Sequence, residues 1–88
     1  MKDVSSVIRV RVLFFGHLRE LVGLGEEASD VAENSTISEL FESYERRHPK
    51  LREFRRSVVA SRNQEFAPWD SPLAPGDEIA FLPPVSGG

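Results

Sequence analysis

From Val7 to Phe15 the chain alternates, with Ile8, Val10, Val12 and Phe14 on one side and Val7, Arg9, Arg11, Leu13 and Phe15 on the other. Successive side chains of a strand point to opposite faces, so this pattern predicts a strand. The face carrying Arg9 and Arg11 is the wetter one. The even set therefore points to the core, and Phe15 is left as an aromatic on the outer face. Gly16 breaks the strand. His17 to Val22 predicts a short helical turn with Leu18, Leu21 and Val22 on one side, ended by Gly23 and Gly25. Glu26 to Ala32 predicts a weak second strand, followed by a loop at Asn34 and Ser35.

The strongest local signal comes next. Thr36 and Glu39 have the spacing of a capping box, in which each side chain satisfies a free backbone N–H of the other residue. Ile37, Leu40, Phe41 and Tyr44 then recur at helical spacing, which predicts one amphipathic helix of about three turns. Pro49 stops it, because proline has no N–H and disfavours a helical His48. Ser57 to Ser61 predicts a short strand centred on Val58 and Val59. Arg62, Asn63 and Gln64 form a turn, with Glu65 to Trp69 pairing beyond it. Pro75-Gly76 suits the centre of a type II turn. Asp77 to Leu82 is the last strand, with Ile79 and Phe81 alternating against Ala80 and Leu82.

One helix and one mixed sheet make an α+β domain. The first and last strands are the most apolar and are expected together at the sheet centre. One main helix packed over a face of such a sheet is the β-grasp arrangement. The expected organisation is a disordered N-terminal extension over 1–6, the domain over 7–82, and a flexible Gly-Gly tail over 83–88.

Composition narrows the chemistry. With 88 residues, the chain has room for one modest core and none for a second domain with a deep active site. There are 14 acids against 11 bases, for a net charge of -3, which speaks against a general nucleic-acid binder. There is no cysteine, so a disulfide, a zinc-thiolate site or a thiol-based sulfur relay within the chain is excluded. No stretch approaches the roughly 18 apolar residues of a membrane span. The first residues lead into an alternating strand instead of a continuous apolar run, so a cytoplasmic location is expected.

The ending carries the candidate chemistry. Pro83-Pro84 ends strand pairing and stiffens the exit, and Val85-Ser86-Gly87-Gly88 comes after it. Two glycines without side chains can enter a tunnel too narrow for other residues. The Gly88 carboxylate, with a pKa of roughly 3.5, is ionised at neutral pH and is a poor acyl donor. Attack on ATP converts it to an acyl-adenylate with a good leaving group. A sulfur nucleophile replacing AMP then leaves a thiocarboxylate on a narrow arm. None of this requires a catalytic side chain in this protein.

The run Pro75-Gly76-Asp77-Glu78-Ile79-Ala80-Phe81-Leu82-Pro83-Pro84-Val85-Ser86-Gly87-Gly88 closely resembles the small subunit of molybdopterin synthase. The start, Val12 to Leu21, and Arg47-His48-Pro49 are similar to the same family. The likeness covers nearly everything from Val7 onward. Carriers for thiazole synthesis also end in two glycines, but generally lack this Phe-x-Pro-Pro-x-x-Gly-Gly form. The resemblance implies a ubiquitin-like β-grasp fold and adenylation of Gly88 by a ubiquitin-activating-type adenylyltransferase that uses ATP. A sulfur donor protein then loads sulfur covalently on Gly88.

By the same resemblance, the tail from Pro83 and Pro84 through Val85, Ser86 and Gly87 inserts into the large subunit, in a heterotetramer of two small and two large subunits. Two sulfurs delivered in this way convert cyclic pyranopterin monophosphate into the dithiolene of molybdopterin. The catalytic side chains are expected on the large subunit, so this chain is a non-catalytic sulfur-donor subunit without a permanently bound cofactor. The family's apolar partner surface maps to Phe15, Phe66 and Leu82. The alternatives are a carrier serving thiazole synthesis or tRNA thiolation, a ubiquitin-like modifier joined to lysines, and a binding module that uses only its apolar face.

Other residues suit blander roles. Arg46, Arg47, Lys50, Arg52, Arg55 and Arg56 cluster around Glu53. An RNA or phosphate site is one reading, but no aromatic platform interleaves the charges and the net charge is negative, so a solvated face is preferred; steering of an acidic partner surface is the alternative. His17 and His48 lack ligand-spaced companions, and no metal is expected. Asp77 and Glu78 are adjacent in a strand and point to opposite faces, which argues against shared acid-base work. Ser86 has no base beside it. Trp69 reads as a hydrophobic cover at the domain edge.

Overall fold

The structure, a computed structural model, describes residues 6–83. Strand β1 (Val7–Phe14) alternates as its sequence requires, with Ile8, Val10, Val12 and Phe14 buried. Helix α1 (Gly16–Val22) buries Leu18 and Val22 and ends at Gly23, whose φ of 89° is easy only for glycine. Strand β2 (Glu26–Ala32) runs antiparallel to β1.

Helix α2 (Ile37–Arg47) starts on the expected capping box. The Glu39 N–H donates to Thr36 Oγ1 at 3.2 Å, and the Thr36 N–H donates to Glu39 Oε1 at 2.9 Å. Its apolar stripe Ile37, Leu40, Phe41 and Tyr44 is buried. Arg46 and Arg47 in its last turn complement the negative end of the helix dipole.

The sequence expectation and the structure part company after Pro49. The helix does stop, but Pro49–Glu53 then coils into a 3₁₀ turn that buries Leu51. A proline cannot continue a helix, yet its fixed φ suits the first position of a new turn. The next strand, β3, spans Val59–Arg62 instead of Ser57 to Ser61. The N–H groups of Ser57 and Val58 are already bonded to the Phe54 carbonyl, which holds both residues in the turn. Strand β4 is only Glu65–Phe66, and the pairing expected as far as Trp69 is cut short near Pro68, which has no N–H to offer. Asn63 and Gln64 join β3 to β4 with φ of 52° and 72°, the positive values that a tight two-residue hairpin requires. Gly76 has φ of 82°, as the Pro75-Gly76 turn demands, and leads into β5 (Glu78–Leu82).

The sheet order is β2-β1-β5-β3-β4, with β1 and β5 parallel and every other pair antiparallel. The first and last strands are therefore adjacent and interior, as their apolar content implied, and α2 covers one face. This is the ubiquitin-like β-grasp arrangement. The core is aromatic where helix and sheet meet. Phe14 meets Tyr44 edge-on at 4.8 Å, Phe41 meets Phe81 at 4.9 Å, and Trp69 lies 5.2 Å from Phe41 at the margin.

Strand direction gathers several element ends at one place. β1 and β5 are parallel and finish at the same end of the domain. β2 starts there, and α2 finishes there, because Arg47 reaches Glu27 at the start of β2 at 3.8 Å. β3 also starts at that end, with Val59 paired to Leu82.

Candidate functional site

The face of the sheet away from α2 divides into two regions. Toward the starts of β1 and β5 it is charged. Arg9 Nε donates to Asp30 at 2.9 Å, and Arg11 Nε lies 3.1 Å from Glu26. The hydrogen bond from Arg9, with the charge of the same guanidinium, holds the Asp30 carboxyl below its ordinary value against the loss of solvation.

Toward the ends of the same strands the face turns apolar. The strand register aligns Leu13, Ala80, Ser61 and Phe66 in one row across four strands. The Phe15 N–H donates to the Phe81 carbonyl at 3.2 Å, so Phe15 continues the register beside Leu82, and Leu82 pairs with Val59. Phe66 is 81% exposed, Phe15 44% and Val59 43%, while Leu13, Ala80 and Leu82 are half-buried. Five residues from four strands, with Phe15 just past the end of β1, thus share one apolar face that Ser61 interrupts between Ala80 and Phe66, with its aromatics uncovered. An exposed apolar patch of this kind marks an interaction surface.

Phe15, Phe66 and Leu82, the positions that the resemblance implied as a partner surface, with Phe15 also left outside by the strand pattern, lie on this one face. Leu13 and Ala80 join them, as their alternation with Phe15 and Leu82 implied, and Val59 joins them without a sequence signal for it. The sequence pattern centres a strand on Val58 and Val59 without saying which of the two faces the core. The strand instead begins at Val59, so the two valines split, with Val58 buried and Val59 outside. The pairing of strands, which no local pattern carries, is the missing signal.

The tail leaves from the margin of the patch. Pro83 follows Leu82 and packs against Gly16, where a Cβ would lie 2.8 Å from Pro83 Cγ. Gly16 also has φ of 57°. A bare residue at the end of β1 therefore lets the start of the tail lie close to the sheet and gives its exit a defined direction. Pro84, Val85, Ser86, Gly87 and Gly88 lie outside the described residues.

The remaining candidates have structural roles. Asp77 is buried and accepts from Arg62 Nε at 2.8 Å, Asn63 Nδ2 at 3.0 Å and the Ala74 N–H at 2.8 Å. Burial pushes its carboxyl up, but Asn63, the Ala74 N–H and Arg62 together outweigh it and hold the group below the usual carboxylate range. This network staples the β3–β4 turn to the start of β5. Glu78 faces the other way, so the two acids do not form a site. His17 Nδ1 lies 3.1 Å from Glu20, and its ring meets Phe54 edge-on at 5.4 Å. The His48 N–H caps α2 by donating to the Tyr44 carbonyl at 2.8 Å. Among the described residues, no three His, Cys, Asp or Glu side chains converge as metal ligands would. No helix among them is long and apolar enough to cross a membrane.

Of the basic cluster, Arg55 is bound into the fold. It donates to Ser38, lies 3.6 Å from both Glu42 and Glu45, and stacks 4.7 Å from the Trp69 ring. Arg47 covers the Tyr44 ring at 4.6 Å.

Comparison with known proteins fits this geometry. The ThiS family matches residues 12–88. The chain is 35% identical over 83 residues to the molybdopterin synthase sulfur carrier subunit of Mycobacterium tuberculosis, covering 93% of this chain and 100% of that one. Small archaeal modifier protein 1 of Haloferax volcanii superposes with a TM-score of 0.76 at 26% identity, covering 89% of this chain and 99% of the other. A chain from the complex of subunits 1 and 2 of the Helicobacter pylori molybdopterin-converting factor superposes with a TM-score of 0.61 at 29% identity, covering 92% of this chain and 100% of that one.

Proposed function

Since this chain belongs to the ThiS family, alongside the sulfur carrier subunits of molybdopterin synthase, we propose that its Gly88 carboxylate is the sulfur-bearing group. An oxygen of the carboxylate attacks the α-phosphorus of ATP, and pyrophosphate leaves. This occurs on a ubiquitin-activating-type adenylyltransferase. A sulfur nucleophile from a donor protein then attacks the acyl carbon and expels AMP. With the sulfur delivered as a cysteine persulfide, this gives an acyl disulfide; a second thiol then attacks the donor-side sulfur, forming a disulfide with the donor cysteine and releasing the thiocarboxylate. The lone pair of that sulfur is the nucleophile that builds the dithiolene on cyclic pyranopterin monophosphate. The catalytic side chains belong to the large subunit, in a heterotetramer of two small and two large chains.

The observation that carries this reading is a coincidence of place. The apolar patch of Leu13, Phe15, Val59, Phe66, Ala80 and Leu82 adjoins the residue where the tail departs. A partner that covers the patch is positioned to receive Pro83, Pro84, Val85, Ser86, Gly87 and Gly88. The two terminal glycines allow passage through a narrow tunnel.

One added residue after Gly88 tests this. The extended protein keeps the patch and binds the large subunit, but its terminus no longer reaches the chemistry and sulfur transfer is lost. Full activity of the extended protein contradicts the reading. The likeness to small archaeal modifier protein 1 supports a second reading, in which the same adenylated terminus is joined to lysine amines. Branched Gly88–lysine peptides in digests of cells would favour it.

A further inference from the structure

We propose that the tail end of the domain carries a cationic collar that docks against a carboxylate-rich rim around the tail-accepting mouth of the large subunit. This rests on the sulfur-carrier reading above and adds to it the charge of the partner surface. Charge is unevenly divided along the chain. Residues 46–56 hold six of the 11 bases and one of the 14 acids, so this stretch carries +5 and the other residues together carry -8. The protein is acidic overall yet has one strongly basic region.

The fold puts that region at one place. α2 ends at the end of the domain where β1 and β5 finish, and the 3₁₀ turn Pro49–Glu53 comes directly after it. Phe54 packs against His17, the neighbour of the Gly16 on which Pro83 lies. Val59 then pairs with Leu82, the last strand residue before the tail. Residues 52–58 therefore run past the tail exit. Arg46, Lys50, Arg52 and Arg56 are exposed, and among the described residues the ion pairs of the cluster involve only Arg47 and Arg55.

Distance assigns the collar to docking and not to the reaction. Five residues beyond Pro83, extended, reach about 17 Å. The screening length at physiological salt is about 8 Å, so charges at the tail end of the domain are felt at the mouth of a tunnel and hardly at its far end. A complementary rim at that mouth would speed encounter and orient the tail for entry. RNA is a poorer fit. The aromatics in this region are engaged, Phe54 with His17 and Tyr44 under Arg47, so no stack of open rings accompanies the charges.

The test compares Arg52→Glu and Arg56→Glu with Arg9→Glu, which changes the charge equally near the start of β1. Association with the large subunit is followed by stopped-flow at about 20 mM and about 500 mM salt, with thermal melts to confirm folding. The collar predicts that each of the first two slows association about tenfold at low salt, with the gap closing at high salt, as expected for steering. Arg9→Glu should slow it less than twofold. Equal effects from all three variants, or none, overturn the collar while leaving the carrier reading intact. So does retention of a single-stranded RNA oligonucleotide by the wild type with unaltered subunit association in the variants. If the wild type fails to bind the large subunit at all, the carrier reading falls and the collar with it.

Discussion

Phe66→Ala separates docking from folding more cleanly than any other change. Phe66 sits on β4, paired with Ser61, and is 81% exposed, so the domain gains little from it. A phenylalanine presents about 200 Å² that can be buried, so roughly 160 Å² of it is free for a partner. At about 25 cal/mol per Å², full coverage is worth about 4 kcal/mol, and coverage of half of it about 2 kcal/mol. About 2 kcal/mol corresponds to a roughly thirtyfold weaker complex on the scale of roughly 1.4 kcal/mol per tenfold. Urea unfolding of the isolated domain should move by less than about 0.5 kcal/mol, as for other exposed positions. The assay pairs calorimetric titration of the large subunit with urea unfolding of the same preparations. A dissociation constant within about twofold of wild type would refute the assignment of Phe66 to the docking face. A stability loss above about 1 kcal/mol would show instead that the residue belongs to the fold.

Three further predictions concern the scaffold. Thr36→Ala removes the acceptor for the Glu39 N–H and should cost about 1 kcal/mol in urea unfolding, with subunit affinity unchanged. Gly23→Ala meets open space but must hold φ of 89°, so it should cost about 1 kcal/mol from backbone strain alone. Asp77 contributes a pH dependence. Its folded carboxyl lies below the unfolded value of about 3.9, so its stabilisation is present above that pH and is lost as pH falls toward the folded value. Asp77→Asn should therefore be less stable at neutral pH and show a shallower acid limb in melts taken between about pH 5 and pH 2.

Most of the architecture is legible because its signals are local. The alternation in β1, the Thr36–Glu39 box and the stripe Ile37-Leu40-Phe41-Tyr44 each sit within a few residues, and each produces the expected element. The 3₁₀ turn after Pro49 and the late start of β3 are not legible. Both depend on which groups claim the carbonyls of residues 48–55, a matter of packing and not of pattern. The apolar patch is legible only in part. Phe15 announces itself as an odd aromatic on a charged face, whereas Val59 looks apolar among apolar neighbours until the register with Leu82 places it outside. The close approach of Pro83 to Gly16 joins residues far apart in sequence, and neither residue hints at the other.

The central claim concerns the carboxylate of Gly88, and the most direct measurement is the mass of the C-terminal peptide. It should be taken from protein isolated with its activating enzyme and sulfur donor, both shown to be active. Exchange of one carboxylate oxygen for sulfur adds about 16 Da, and that gain is expected on the peptide ending at Gly88 and nowhere else. A C-terminal peptide of unaltered mass under those conditions, or one found only as a branch on lysine, would contradict it.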